Sequence, residues 1–352
     1  MPDWTKSMQQ TFEYYIVDPG TWRDVKQITT VKTSTINRDS GVETLGSATI
    51  DVVDVLGECY LRVYLITIQN GIREKHPLGT YLVQTPSSSY DGKIRNVSMD
   101  AYTPLLELKE NPPPIGYSIF KDANIMDNAY QIVSDHVRCP VVRSSATDKL
   151  YKDFVANTDD TWITFIRDLL ANAKQVLTLD ELGRILFAPT QDIKTLQPVW
   201  TYDDGNSSIL YSDISVDHDL YGIPNVIEVV YSSGNTTFYS RVVNDDENSP
   251  ISTVRRGREI IHRVINPEMS AMPSQEQIDL YAKDVLKALS TVQYTISYTH
   301  AYCPVRLGDC VRLNYTRAGL NGVKAKVISQ SIKCEPGCPV TEKAVCTVEL
   351  WG

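Results

Sequence analysis

From residue 11 to residue 102 the chain is a series of short runs: TFEYYIV, VKQITTVKTSTI, GSATIDVVDV, CYLRVYLITI, GTYLVQT and RNVSMDAY. All are rich in β-branched and aromatic side chains, which suit a pleated, half-buried surface. Turn formers separate them: Asp18-Pro19-Gly20, Arg38-Asp39-Ser40-Gly41, Asn70-Gly71 and Tyr90-Asp91-Gly92. Short strands with regular turns predict a barrel or a sandwich. The period changes near Thr103. TPLLELKE predicts one or two helical turns, and Asn111-Pro112-Pro113-Pro114 then stops any helix.

From 115 to about 200 helical and strand patterns alternate. Ile125, Ala129, Ile132 and Val133 share one helical face within 123–137. A stronger stripe runs from Trp162 through Phe165, Ile166, Leu169 and Leu170 to Ala173, within a helix expected over 160–174. It leads into QVLTL-DELG-RILFAP, which reads as a hairpin.

After Asp213 the strand pattern returns. NVIEVVY, a Ser-Ser-Gly-Asn turn and TTFYSRVV predict another hairpin. Pro273-Ser274 followed by Gln277 predicts an N-cap box, and Ile278, Tyr281, Ala282, Val285, Leu286 and Leu289 form the stripe of a helix over 274–290. YTISYTHAY, DCVRLNY, VKAKVISQSIK and AVCTVEL follow. In the last, Ala344, Cys346, Val348 and Leu350 fall on one face. The expected organisation is a first β domain at 1–110, an inserted α+β domain at 111–205 and a second β domain at 206–352. HPLGTYLVQTP (76–86) and VRLGDCVRLNY (305–315) each place a Leu-Gly corner before a strand-like run, a weak sign of kinship between the two β regions.

Composition narrows the function. A chain of 352 residues favours two or three domains. A net charge of −9 excludes dedicated DNA or RNA binding, which needs cations to neutralise phosphates. Tyr (20) outnumbers Phe (6), which suits strand faces and subunit contacts that stay partly wet. The most apolar region, 52–68, is interrupted by Asp54, Glu58 and Arg62, so no span of a bilayer is expected. MPDWTKSMQQ lacks a basic segment leading into an apolar one, so no secretory signal is expected and folding in a cytoplasm is. Seven cysteines then read as free thiols.

Candidate chemistry is sparse. Cys303 and Cys310 with Cys334 and Cys338 are the best metal candidates, but C-x6-C and C-x3-C are looser than zinc knuckles, and the four also read as strand and turn residues. His218, between Asp217 and Asp219, could be a carboxylate-oriented imidazole or a loop residue. His76, His136, His262 and His300 have no motif partner and read as structural or surface residues. Asp159-Asp160 reads as a helix start; Asp203-Asp204 and Asp245-Asp246-Glu247 read as loops. There is no nucleotide loop, nucleophile elbow or H-E-x-x-H motif. Paired carboxylates for glycoside chemistry are set in space, and the sequence singles none out.

In order and spacing these pieces resemble the tail hub, or baseplate hub, proteins of tailed bacteriophages and related phage-tail-like particles. GSATIDV (46–52) is similar to the second-strand signature of the first hub barrel, and HPLGTYLVQTP to its Leu-Gly-x-aromatic strand. VSMDAYTPLLELKENP (97–112) resembles the exit from that barrel. The segment TWITFIRDLLANAKQVLTLDELGRILFAP resembles the helix and hairpin of the inserted domain, and VRLGDCVRLNY the Leu-Gly-Asp strand of the second barrel.

The resemblance implies a mainly β fold with an α+β insertion: two tail-tube-like β-barrels in a trimeric, pseudo-sixfold ring. It implies a non-enzymatic virion component of the tail tip or baseplate, made in the host bacterial cytoplasm, with no catalytic, cofactor or metal residues. The implied partners are two further copies, a distal tail or tail tube protein, the tape measure protein, and a fibre, spike or receptor-binding tip protein. DNA would pass only in transit through the lumen, and no stable membrane insertion is implied. Some hubs carry a fibre-like or wall-cleaving extension. Here the sequence ends two residues after its last strand-like run, so another protein is expected to supply those roles. The competing reading is a carbohydrate-binding or hydrolytic β-protein of the host surface, although five scattered tryptophans form no aromatic cluster.

Overall fold

The computed structural model describes residues 2–90, 92–93, 95–234, 236–269 and 272–351. Asp91 and Asn235 of two expected turns, and Gly352, lie outside them. Strands β1 (Gln9–Asp18), β2 (Arg23–Ile28), β3 (Val31–Asp39), β4 (Gly46–Val52), β5 (Cys59–Gln69), β6 (Ile72–Tyr90) and β7 (Arg95–Tyr102) occupy the first β region. Asn70 and Gly71 take φ of 51° and 77° between the paired Gln69 and Ile72, the two positive angles that a tight hairpin needs to match strand twist.

Two readings are corrected here. VKQITTVKTSTI is not one strand; it breaks at Thr29-Thr30 into β2 and β3. Leu78-Gly79 is not a corner at a strand entry but a bulge inside β6. Val63 pairs with Gly79 and Tyr64 with Pro77, leaving fully buried Leu78 as the extra residue. A Cβ at Gly79 would strike the ring of Tyr81. Leu307-Gly308, by contrast, is a turn whose Gly308 N–H donates to Val327 O at 2.8 Å. The two Leu-Gly pairs therefore do different structural jobs.

Next come α1 (Leu106–Lys109), β8 (Ser118–Ile119), α2 (Ile125–His136), β9 (Phe154–Val155), α3 (Trp162–Ala171), β10 (Gln175–Leu179) and β11 (Ile185–Pro189). Asn124 caps α2 by accepting from Asp127 N–H, and Thr161 with Thr164 forms a capping box on α3. Phe165, Ile166, Leu169 and Leu170 are fully buried, and each contributes about 1.5–3 kcal/mol by leaving water. They share one core with Ile132 and Val133 of α2 and with Val17, Trp22, Tyr60 and Leu82 of the first β region. The QVLTL and ILFAP runs pair in register as β10 and β11, as their pattern predicts.

The remainder comprises β12 (Pro198–Asp203), β13 (Leu210–Asp217), β14 (Val226–Ser233), β15 (Thr236–Val243), α4 (Thr253–Arg256), β16 (Ile261–Ile265), α5 (Gln275–Leu289), β17 (Thr291–Ala301), β18 (Cys310–Tyr315), β19 (Leu320–Lys333) and β20 (Pro339–Glu349). Two compact units result. The first holds Met1–Ile214 and Ser297–Ala344, the second Ser215–Ile296 and Val345–Gly352, so the divisions fall within β13, β17 and β20.

The mainly β class with α+β elements stands. Among the described residues thirteen strands connect along the path β13-β17-β20-β19-β3-β4-β7-β6-β5-β1-β2, with β18 on β19 and β12 on β18. The joint is antiparallel β3–β19, where Thr35 meets Lys333, Ile36 meets Ile332 and Arg38 meets Gln330. Within the first unit, the loop of the β10–β11 hairpin reaches both β regions. The Leu182 carbonyl accepts from Trp22 Nε1 (2.8 Å), Thr80 Oγ1 (3.0 Å) and buried Arg62 (3.2 Å), while Glu181 pairs with Arg306 at 2.5 Å.

The second unit is a small α/β layer. β14 pairs antiparallel with β15 and parallel with β16, and α5 covers one face through Ile278, Ala282 and Leu286 against Ile227 and Val229. Ser274 and Gln277 form the expected capping box of α5. No helix among the described residues is long and apolar enough to cross a membrane.

Gly183 has φ +75°, and a Cβ there would lie 2.8 Å from Thr80 Cβ. Gly183→Ala is expected to destabilise the first unit by about 1–3 kcal/mol through left-handed strain and displacement of the Leu182 clamp. A shift of the urea midpoint with unchanged slope checks it; an unchanged midpoint contradicts the clamp.

Candidate functional site

Strand parity builds a dense group of buried ionisable side chains in the first unit. Glu342 on β20 occupies the inward face with Val340 and Ala344, and His300 on β17 occupies the inward face with Tyr298. Both charged groups are fully buried. His300 Nε2 lies 3.3 Å from Glu342 Oε1, and its Nδ1 is 2.7 Å from Ala301 O. Tyr298 Oη donates to Glu342 Oε2 at 2.7 Å, and Gln330 Nε2 donates to Glu342 Oε1 at 2.5 Å and to Val305 O at 3.0 Å. Half-buried Arg38 donates to Gln330 Oε1 at 2.9 Å and to Leu78 O at 2.7 Å. Tyr202 on β12 completes the group, with Oη 3.1 Å from His300 Nε2 and 3.3 Å from Cys303 Sγ.

Burial opposes charge on His300, but its contacts to Cys303 and Glu342 outweigh that and push its pKa up to about 10. Burial likewise opposes charge on Glu342, yet the His300 hydrogen bond and charge, with Gln330 and Tyr298, hold it below the usual carboxylate value. The pair is therefore charged at neutral pH, and both imidazole nitrogens donate. Burial first, then Glu342, raises the Tyr202 and Tyr298 phenols far above their ordinary value. Every oxygen of Glu342 is engaged and His300, Glu342, Tyr202, Tyr298 and Cys303 are each at most 1% exposed. The arrangement suits holding strands in register and gives a substrate no approach.

The cysteine candidates do not converge. Cys303 faces Tyr202 and His300. Cys310 Sγ lies 3.8 Å from Val311 O on β18, and Cys334 N–H donates to Ser34 O on the seam with β3. Burial raises Cys310 and lifts Cys334 to about 11, which makes both poor thiolates. Cys338 is fully buried, and all seven cysteines are free. Among the described residues no three His, Cys, Asp or Glu side chains gather as metal ligands.

The other candidates have local roles. His218 stacks edge-on against Tyr294 at 4.2 Å, His76 against Trp4 at 5.1 Å, and His136 bonds Ile132 O; His262 is exposed on β16. Asp160 accepts from Asn157 N–H and lies just before Thr161, which caps α3; the first turn of α3 itself holds no acidic residue. Asp203 and Asp246 accept from backbone N–H groups two residues on, Gly205 and Asn248, and Asp204 accepts from Thr316. Two surface clefts, of about 310 and 380 Å3, are lined by side chains such as Ser88 and Asn96 or Glu107, His136 and Arg138, and neither lining includes Phe, Tyr or Trp. Sequence reasoning missed the role of His300, Glu342 and Tyr202. The available signal was parity: Glu342 lies on the face of Ala344 and Cys346 in an alternating strand.

No family model and no curated protein matches this sequence. Solved structures do match. A tail protein from Neisseria meningitidis MC58 superposes with a TM-score of 0.63 at 10% identity, covering 96% of each chain. The 43 kDa tail protein of prophage MuSo2 from Shewanella oneidensis gives 0.63 at 11%, covering 97% of this chain and 98% of that one. A chain of the Francisella PdpA–VgrG complex gives 0.57 at 7%, covering 97% of this chain but 53% of that one. At such identities the likeness establishes the fold: this chain has the fold of phage tail proteins, as the resemblance in its residues predicted.

Removing one partner of a buried ion pair strands the other, so Glu342→Ala is expected to cost about 3–5 kcal/mol, read by chemical denaturation. His300 has an ordinary pKa of 6.5 and a folded value of about 10. Its contribution is therefore full below 6.5 and lost as pH rises through 10. Unfolding free energies across that window should fall for the wild type by an amount missing in His300→Gln; parallel curves would refute the charged pair.

Proposed function

We propose that this protein is a structural hub of a phage tail tip or baseplate, or of a phage-tail-like particle, and not an enzyme. The observation that carries the reading is end-to-end likeness to two tail proteins, spanning 96–97% of this chain and 96–98% of theirs. The finer reading is a homotrimer forming a pseudo-sixfold ring. Segments 1–110 and 206–352 supply its tube-like regions, and 111–205 supplies a spacer or docking element. The ring joins the tail tube or a distal tail protein to a fibre, spike or other receptor-binding tip protein. Its lumen passes the tape measure protein and DNA. Three copies at −9 each would carry −27, and acidic walls would repel phosphates and let DNA slide. The buried ion pair and the scattered, individually bonded carboxylates suit a scaffold. The linings of the two clefts described, without Phe, Tyr or Trp, offer no indole or phenyl platform of the kind a sugar ring stacks on.

Light scattering behind a sizing column, followed by negative-stain imaging, tests the proposal. Particles of three times 39.6 kDa with a central hole are expected, alone or with a tail-tube or distal-tail partner. A compact monomer that stays monomeric with those partners, or clearing of bacterial cell wall by the pure chain in a zymogram, overturns it.

A further inference from the structure

The second unit exposes a strand edge with an unusual charge. β16 is an outer strand of the sheet β15-β14-β16, and among the described residues its far edge has no partner. Asn266 N–H donates to Val230 O, and Val226 N–H donates to Ile260 O. In a parallel ladder this turns the backbone groups of the even-numbered residues toward β14. The N–H and C=O groups of Ile261, Arg263 and Ile265 therefore point outward, ready to pair.

The side chains there are exposed as well: Ile261 is 47% and Ile265 67% accessible. Their register with Val226 and Val230 puts them on the sheet face opposite α5. The approach to the strand is held rigidly. Buried Asn225 donates to Arg258 O at 3.0 Å and accepts from Ile260 N–H at 2.7 Å.

The local charge reverses that of the chain. Between 254 and 265, Arg255, Arg256, Arg258 and Arg263 stand against Glu259 alone, in a protein of net charge −9. Arg263 is neutralised by Glu228 at 2.6 Å and Glu259 by Arg241 at 2.6 Å. Among the described residues Arg255 and Arg256 bond backbone carbonyls, those of Glu247, Ile223 and Leu220. Among the described residues no carboxylate forms an ion pair with them or with exposed Arg258, although Asp245, Asp246 and Glu247 lie on the segment that Arg255 bonds.

We propose that the outer edge of β16 takes up an extended, acidic segment of a partner protein as a fourth strand of this sheet. Main-chain hydrogen bonds would supply affinity, Ile261 and Ile265 an apolar contact, and the arginines the choice of an acidic strand. A second copy fits poorly. Antiparallel self-pairing centred on the strand sets Arg263 against Arg263 and brings two sets of arginines together, and like charges across a pair destabilise it. The inference stands apart from the hub reading, since it requires neither a trimer nor a lumen.

The test uses the full chain and a fluorescein-labelled peptide of alternating glutamate and valine, read by anisotropy, with a single-stranded DNA oligonucleotide of equal charge as competitor. Salt-sensitive binding is expected. Arg258→Glu should weaken it by about tenfold or more with the fold unchanged. Ile265→Pro, which deletes an outward N–H and no bond to β14, should abolish it. Absence of peptide binding by the wild type, binding by Arg258→Glu equal to wild type, or displacement by the oligonucleotide as effective as by unlabelled peptide overturns the proposal. Should Ile265→Pro fail to fold, a peptide N-methylated at alternate residues replaces it, and undiminished binding of that peptide refutes strand addition. The oligomeric state of the chain is read separately, so failure here and failure of the hub assignment remain distinct.

Discussion

The antiparallel seam between β3 and β19 is the constraint on which the first unit depends. It joins residues 35–39 to residues 329–333 and makes one sheet path of two β regions almost a whole chain apart. Closing so long a loop is opposed by chain entropy, so the pairing must be well rewarded. Ile36 and Ile332 face each other there with no more than 1% exposure, and Asn37 and Ser331 hydrogen-bond on the opposite face. The Leu182 carbonyl and Glu181 tie the helical insert to the strands on both sides, so the insert braces the joint.

The buried polar chain from Arg38 through Gln330 and Glu342 to His300 gives that seam its register. Side chains in a strand alternate faces, so a slip of one residue would swing Gln330 away from Glu342 and leave a buried carboxylate short of a donor. A buried ion pair adds little net stability over apolar packing, but it penalises every arrangement that leaves it incomplete. Its residue types look catalytic on paper: histidine, cysteine, glutamate and two tyrosines. Here their chemistry is spent on one another, out of reach of solvent.

Charged groups inside are paired and inaccessible, while the carboxylate clusters outside each satisfy a turn or a cap. At the surface of the second unit, the outer edge of β16 carries exposed Ile261 and Ile265 with Arg258 close by.

Local patterning in the sequence was enough for the hairpins at Asn70-Gly71 and β10–β11, the capping box of α5, the stripe of α3 and the alternation of β20. Each depends on neighbours within a few residues, where periodicity and cap chemistry act directly. The acidic charge and the missing motifs were equally legible, and so was the order of segments that resembles phage tail hubs. The break at Thr29-Thr30 and the bulge at Leu78 were not, because partner strands set both. Nor were the roles of His300 and Glu342, which depend on which strands lie side by side. Pairing over 290 or more residues leaves no local trace, so only the tertiary structure could decide that the two β regions share a sheet and that an isolated histidine holds a buried charge.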